Sequence, residues 1–203
     1  MGDITKFSST FEYYTFNVLL ISLLISEIFI FFYTRSKRNK NNKIDTRDLG
    51  TKWLLYLNFI FCVIVNFWCV SQKAPFYLRE IMLPNCFEKI GILIMIFGIV
   101  IRIKAVLTLK NAFTLNVQIS KEQQLVTNGI YKLVRHPAYT GSILSLVGLS
   151  ITLKNIPALL IVFMCSLVCY QIRINVEEKI LQIYFKEYNV YKENTYKLFP
   201  YIF

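Results

Sequence analysis

The sequence predicts an all-α integral membrane protein: about five transmembrane helices and a C-terminal amphipathic cytosolic helix, in a single membrane domain over residues 1–203. Three observations carry that prediction. Hydrophobic residues make up 55% of the chain against 17% charged, for a mean hydropathy of +0.47. The apolar residues fall in runs as long as a bilayer is thick, and the Lys and Arg residues fall mostly between those runs. A net charge of +11 on such a chain is not a nucleic-acid footprint, because 17 Phe and 13 Tyr would have no place on a soluble basic protein. The same numbers exclude disorder, and 7 Gly with 5 Pro exclude a collagen-like or linker architecture.

The first span is Tyr14 to Tyr33, whose one charge is Glu27; its length, acidic lead-in and lack of a small-residue cleavage site argue against a signal peptide. Trp53 to Val70 forms the second, bracketed by Trp53, Tyr56 and Trp68 as in an interfacial aromatic belt. The third runs from Ile90 to Leu109. The last apolar block, Tyr139 to Ile172, is broken by Lys154-Asn155-Ile156-Pro157, which suits the tip of a helical hairpin and yields spans four and five. After them, Leu181, Tyr184, Phe185, Tyr188 and Tyr191 recur at three and four, predicting one amphipathic helix along the membrane surface.

Five spans put the termini on opposite sides. Of the 23 Lys and Arg, eighteen fall on the side of the 34–52 and 110–138 segments and the C terminus, and five on the other. The positive-inside rule therefore places the N terminus outside and the C terminus in the cytosol. Arg35 to Asp48 reads as a solvated basic loop facing anionic headgroups.

The residue inventory narrows the chemistry. One histidine, His136, cannot supply a metal cage, and cysteines at 62, 69, 86, 165 and 169 contain no C-x-x-C pair, so no metal site is expected. With no G-x-G, the dinucleotide and Walker fingerprints are absent.

Two polar constellations remain. Residues 110–141 are too polar to span a membrane, yet they lie between membrane helices and contain Arg135-His136-Pro137; Pro137 holds His136 out of helical conformation where span four begins. Gly129 marks a turn. Past span five, Arg173 and Glu177 share a helix face at the mouth of the bilayer, with Glu178 beside them. Each alone reads as a snorkelling turn or an ordinary ion pair; ionisable groups emerging from a span argue for a site.

Together these segments carry a resemblance. Leu125-Val126-Thr127-x-Gly129-x-Tyr131, Arg135-His136-Pro137-x-Tyr139-x-Gly141, Arg173-x-x-x-Glu177-Glu178, then Phe185, Tyr188, Tyr191 and Pro200 resemble the isoprenylcysteine carboxyl methyltransferase family, membrane enzymes that use S-adenosylmethionine. The likeness covers residues 98–200, and the two N-terminal spans (14–70) carry no motif. It implies a methyltransferase core with a cofactor loop over 110–139. Gln118, Gln123, Gln124, Leu125, Val126, Tyr131, His136, Pro137, Ala138, Tyr139 and Glu177 match the family's S-adenosyl-L-methionine contacts. Arg173 matches the arginine assigned to the carboxylate substrate, and Arg135, with Glu178, belongs to the catalytic motifs. More distant phospholipid N-methyltransferases share a looser version of the layout. The chain departs from the family at Phe113-Thr114-Leu115, where prenylcysteine enzymes usually have a histidine after the phenylalanine and one further residue, and at Phe185-Lys186, where Phe-Gly is common.

The residues make chemical sense beside the family name. A carboxylate, with a reference pKa near about 4, is already ionised and needs no base, and one guanidinium can hold both its oxygens. The function implied is methyl transfer to the carboxylate of a lipidated substrate, a prenylcysteine or a related lipid-like acid. Alternatives are another lipid-like acceptor (hydroxyl, amine or thiol), or, outside enzymes, a channel or transporter subunit. The expected location is a multi-pass protein of the endoplasmic reticulum if eukaryotic, or of the plasma membrane if bacterial, with its site on the cytosolic face.

Overall fold

A computed structural model describes residues 7–36, 43–46, 50–109, 118–120 and 124–201. The helices are α1 (Thr10–Ser36), α2 (Thr51–Cys69), α3 (Phe76–Arg79), α4 (Cys86–Leu109), α5 (Pro137–Thr152), α6 (Ile156–Tyr184) and α7 (Tyr188–Glu193). Outside them, β1 (Lys43–Thr46) and β2 (Gln118–Ser120) pair antiparallel, with Thr46 against Gln118, so part of the expected basic loop is a short ribbon.

Among the described residues, four helices, α1, α2, α4 and α6, are long and apolar enough to cross a membrane. The expected fourth span, α5, is shorter. Its 16 residues rise about 24 Å, less than the roughly 30 Å of a bilayer core. It tolerates this because it lies inside the bundle: 13 of the 16 are buried, against α4, α6, α2 and α1. Its polar side chains satisfy themselves on its own backbone, Ser145 donating to the Gly141 carbonyl at 2.8 Å and Thr152 to that of Gly148 at 2.8 Å.

The tightest packing is between α4 and α5. With no hydrophobic drive between helices in lipid, close backbone approach has to supply the association, and small residues permit it. Gly98 faces Gly141 here: a Cβ on Gly98 would sit 2.5 Å from the Ser145 nitrogen, and one on Gly141 2.6 Å from that of Arg102. Gly91 and Gly148 repeat the arrangement seven residues along each helix.

The hairpin tip forms where the Lys154-Asn155-Ile156-Pro157 break predicts it. Lys154 takes a positive φ of 58°, and the Asn155 side chain caps α6 by accepting from the Ala158 nitrogen at 2.8 Å. Lys154 is buried, its ammonium 3.3 Å from Glu88 at the start of α4. Ser8 also donates to Glu88, at 2.9 Å. The start of α1, the start of α4 and the hairpin tip therefore share one end of the bundle, while α2 begins at the other, where Thr51 meets Arg173.

The C-terminal expectation needs correction. Rather than one surface helix from Leu181 to Tyr191, α6 continues straight from the membrane to Tyr184 and breaks at Phe185, whose backbone is extended (φ −115°, ψ 105°). Leu181, Tyr184 and Phe185 pack beside Ile180, whereas Tyr188 and Tyr191 belong to α7. The break has a physical cause. The chain after α7 runs back beside residues 133–136, Arg135 N–H donating to the Tyr196 carbonyl at 2.8 Å and His136 N–H to that of Lys197 at 3.1 Å. A continuous helix could not return there.

Gly98→Leu is expected to force α4 and α5 apart and to destabilise the protein by at least about 3 kcal/mol, the upper range for overpacking. Leu93→Ala, on an exposed face of α4, should shift stability by under about 0.5 kcal/mol. Thermal unfolding in detergent reads both.

Candidate active site

The hairpin's unequal arms build the site. From the shared tip α5 runs 16 residues and α6 runs 29, antiparallel to it. Tyr139 lies opposite Tyr170, ring centroids 5.2 Å apart, so Arg173, about one turn further along α6, and Glu177, about two, reach the level of the start of α5. There Pro137 occupies the first turn and His136 precedes it as a non-helical residue (φ −123°, ψ 55°), as the His-Pro pair predicts. Gly129 takes φ +60° and opens a 3-10 turn over Gly129–Lys132 that carries Tyr131 inward.

The two glutamates face different partners, as consecutive helix positions about 100° apart must. Glu178 is buried, 5% exposed. Its Oε1 accepts from Arg135 Nε at 3.0 Å and lies 3.2 Å from His136 Nε2, and its Oε2 lies 3.2 Å from Lys192 Nζ. Arg135 also donates to the carbonyls of Lys192, at 2.8 Å, and Thr195. This arginine, expected in the chemistry, thus fastens α6 and the C-terminal segment to the start of α5.

Glu177 is different: its side chain is 30% exposed. It accepts from the Tyr139 hydroxyl at 2.7 Å and lies 4.0 Å from His136 Nδ1. The Tyr139 hydroxyl in turn accepts from Arg173 Nε at 3.2 Å, and Arg173 Nη1 donates to the Thr51 hydroxyl at 2.5 Å. A polar chain thus runs Thr51, Arg173, Tyr139, Glu177, with Arg173 only 2% exposed at its inner end. The His136 and Tyr139 rings stack 5.7 Å apart at 10°.

The remaining expected residues divide. Tyr131, Pro137 and Ala138 are buried in the same corner; Tyr131 packs with Ala105, Ala138 and Val126 and donates to the Ala105 carbonyl at 3.3 Å. Leu125 and Val126 are half-buried and Gln124 is exposed. Gln118 lies in β2, while Gln123 is outside the described residues. The Tyr191 hydroxyl donates to the Tyr131 carbonyl at 2.7 Å. Burial raises both phenols, Tyr131 well above its usual value and Tyr191 up to about 12, so they stay protonated at physiological pH.

Sequence reasoning missed four participants. Thr51 carries no motif and sits two residues before the expected span; the available signal was a hydroxyl following Gly50 at a span's end on the site's side of the bundle. Lys192 and the returning 195–198 strand belong to a segment read as helix and tail. Thr140 on α5 holds that strand too, donating to the Leu198 carbonyl at 2.7 Å, and Leu198 is buried against Tyr139 and Ile143.

Chemically, the corner offers a buried guanidinium, a half-exposed carboxylate and aromatic faces between them. A family model described as Phospholipid methyltransferase matches residues 87–188, a range that includes His136, Tyr139, Arg173 and Glu177 but neither Thr51 nor the segment from Tyr191 to Leu198. Among curated proteins, the chain is 36% identical over 119 residues to a probable protein-S-isoprenylcysteine O-methyltransferase of Oryza sativa, covering 56% of this chain and 61% of the relative. It is 30% identical over 141 residues to the protein-S-isoprenylcysteine O-methyltransferase of Tribolium castaneum, covering 66% and 50%. The chain thus spans about half to three-fifths of the length of these relatives. Among solved structures, a eukaryotic intramembrane Ras methyltransferase, isoprenylcysteine carboxyl methyltransferase, superposes with a TM-score of 0.63 at 21% identity, over 97% of this chain and 70% of that one, which establishes a shared fold. With the family match covering half the sequence and the motifs converging in space, the chain belongs to the phospholipid methyltransferase family, and it is similar to proteins named protein-S-isoprenylcysteine O-methyltransferase.

Proposed function

We propose that the protein is an S-adenosylmethionine-dependent O-methyltransferase that esterifies the carboxylate of a lipidated substrate, with a C-terminal prenylcysteine as its acceptor. The observation that carries this reading is Arg173: a guanidinium 2% exposed at the level where α6 leaves the bundle, fixed by Thr51 and Tyr139 and joined through Tyr139 to a half-exposed glutamate. An ionisable group buried where a helix leaves a membrane bundle is costly, and such groups mark ligand sites by default. Glu178, one turn further along α6, is held by Arg135, His136 and Lys192.

The cofactor's chemistry fits these residues. S-Adenosylmethionine is cationic at sulfur and amine, and Glu177, with the stacked rings of His136 and Tyr139, offers the carboxylate and aromatic faces such a cation prefers. Tyr131, Pro137, Ala138 and the 124–126 stretch would line the same corner. When bound, the cofactor supplies an electrophilic methyl group, whose S–C bond breaks as the new O–C bond forms, neutralising sulfonium and carboxylate with no proton transferred. The protein then has to orient and desolvate. Arg173 holds the acceptor carboxylate and aims one oxygen, and the returning strand around Leu198 excludes water. No general base is needed, in keeping with a His136 ring held against Glu178.

The family model's description supports a second reading, methylation of a phospholipid-like amine, in which a base would be required and His136 is the candidate. Membership in a methyltransferase family leaves the channel or transporter reading without support. The charge asymmetry of the sequence, eighteen Lys and Arg against five by segment, supports a site open to the cytosol.

Calorimetry on the purified protein should show micromolar-order cofactor binding, weakened about tenfold, or ~1.4 kcal/mol, by Glu177→Gln. Arg173→Lys should leave that affinity within about threefold while lowering kcat by at least about 100-fold, the order lost when a fixed charge donor is removed. Equal losses of binding in both variants would contradict the division of labour. Incubated with a farnesylcysteine analogue, the protein should transfer labelled methyl groups that mild base releases as methanol. A base-stable product rejects the carboxyl reading in favour of an amine.

A further inference from the structure

The site described above leaves two charges within the spans without a task. Glu27 lies in the second half of α1 and Arg102 two turns before the end of α4, each in a helix that crosses the membrane. They find each other. Arg102 Nη2 donates to Glu27 Oε2 at 2.7 Å and Nε lies 2.5 Å from Oε1, a close ion pair joined by one hydrogen bond, whose side chains are 11% and 16% exposed.

The pair does not use the whole guanidinium. Arg102 Nη1 donates across to α5, to the Ala138 carbonyl at 3.2 Å and to the Ser142 hydroxyl. Ser142 donates to the same carbonyl at 3.1 Å. Ala138 lies between Pro137 and Tyr139, inside the cofactor motif. The backbone of α4 at Arg102 also touches α5 directly, since a Cβ on Gly141 would lie 2.6 Å from the Arg102 nitrogen. Glu27 thus holds a cation, and that cation holds the first turn of α5.

We propose that Arg102 is a positioning residue for methyl transfer, with Glu27 as its counter-ion. The guanidinium fixes the first turn of α5 so that His136 and Tyr139 stay in register with Arg173 and Glu177 on α6. This rests on the methyl-transfer reading and adds to it a part for the first span. A role limited to joining α1 to α4 makes a different prediction, because a buried ion pair replaced by apolar residues of similar size often costs no stability, whereas a thioether cannot donate to the Ala138 carbonyl.

The test compares wild type, Arg102→Met, the double substitution Glu27→Leu/Arg102→Met, and Arg102→Lys, which keeps the ion pair but lacks the fork to reach Ala138 and Ser142 at once. Thermal unfolding, calorimetric Kd for S-adenosylmethionine, and kcat and KM with the farnesylcysteine analogue are measured for each. Arg102→Met should unfold at a lower temperature, leaving Glu27 unpaired. The double variant should recover wild-type unfolding yet remain at least about tenfold down in kcat, with the acceptor's KM within about threefold, as expected when reacting groups are misaligned. Arg102→Lys should fold and show the same kcat loss with a weakened cofactor Kd. Wild-type kcat and Kd in Arg102→Lys or in the double variant overturns the proposal, and if the double variant does not fold, Arg102→Lys decides. A wild type that binds cofactor but methylates no analogue marks failure of the acceptor assignment instead, and the Kd comparison still decides the role of Arg102.

Discussion

Glu178 is the contact on which the rest of the site depends. A carboxylate 5% exposed at the end of a membrane helix has to be compensated, and it is met by Arg135, His136 and Lys192 from the start of α5 and from α7. Those contacts tie the long arm of the hairpin to the short one and both to the returning C-terminal strand. They also set the character of Glu177. Because one acid absorbs the local cations, its neighbour about 100° around the helix is left half-exposed, with a tyrosine hydroxyl as its close partner. Two adjacent, chemically identical side chains therefore acquire a fully paired and a partly exposed character from geometry alone.

Much of this was legible in the sequence. Apolar length located α1, α2 and α4 to within a few residues and the start of α6, because a bilayer imposes a minimum span that composition cannot hide; the end of α6 lies twelve residues past the expected Ile172, where the helix turns polar. The hairpin tip was legible because Asn155 and Pro157 are strong local punctuators. His136, Tyr139, Arg173, Glu177 and Glu178 do converge, as two polar constellations flanking one hairpin must. What stayed hidden was long-range. The three-and-four spacing after Leu181 looks helical through Phe185, and only the pairing of residues 195–198 with 133–136, 60 or so positions away, breaks it. Thr51 has no local signature at all. Glu27 and Arg102 were each visible as charges in greasy surroundings, but counting Arg102 toward topology concealed that its partner lies on another span. The glycines at 91, 98, 141 and 148 were counted and not read as two matching seven-residue spacings, although that is the pattern by which two helices in lipid approach closely.

The far end of the bundle bears on the site through the same hairpin. The register of α5 against α6 is set at the tip, where Lys154 is drawn onto Glu88 and Asn155 both caps α6 and donates to the Leu78 carbonyl at 2.7 Å. Backbone contact along α4 then limits sliding of α5, since a shift would bring side chains against Gly98 and Gly141. The positions of His136 and Tyr139 are consequently fixed from both ends of a short, rigid helix.

The shortness of α5 bears on the proposed reaction. A helix of 16 residues whose tip end lay at one interface would stop about 6 Å short of a bilayer core's thickness, which would put its N-terminal turn and the groups around it below the level of the headgroups. An acceptor with an ionised carboxylate and a long apolar tail has its charge at that depth when its tail lies among the acyl chains. A soluble pocket would have to bury the tail itself, which would require a larger protein. For the acceptor proposed above, the bilayer would solvate the tail, and the chain would have only to bring a guanidinium and a carboxylate to where the charged end lies. Arg173 and Glu177 stand at the level of the start of α5 because α6 is one unbroken helix of 29 residues while its partner stops after 16.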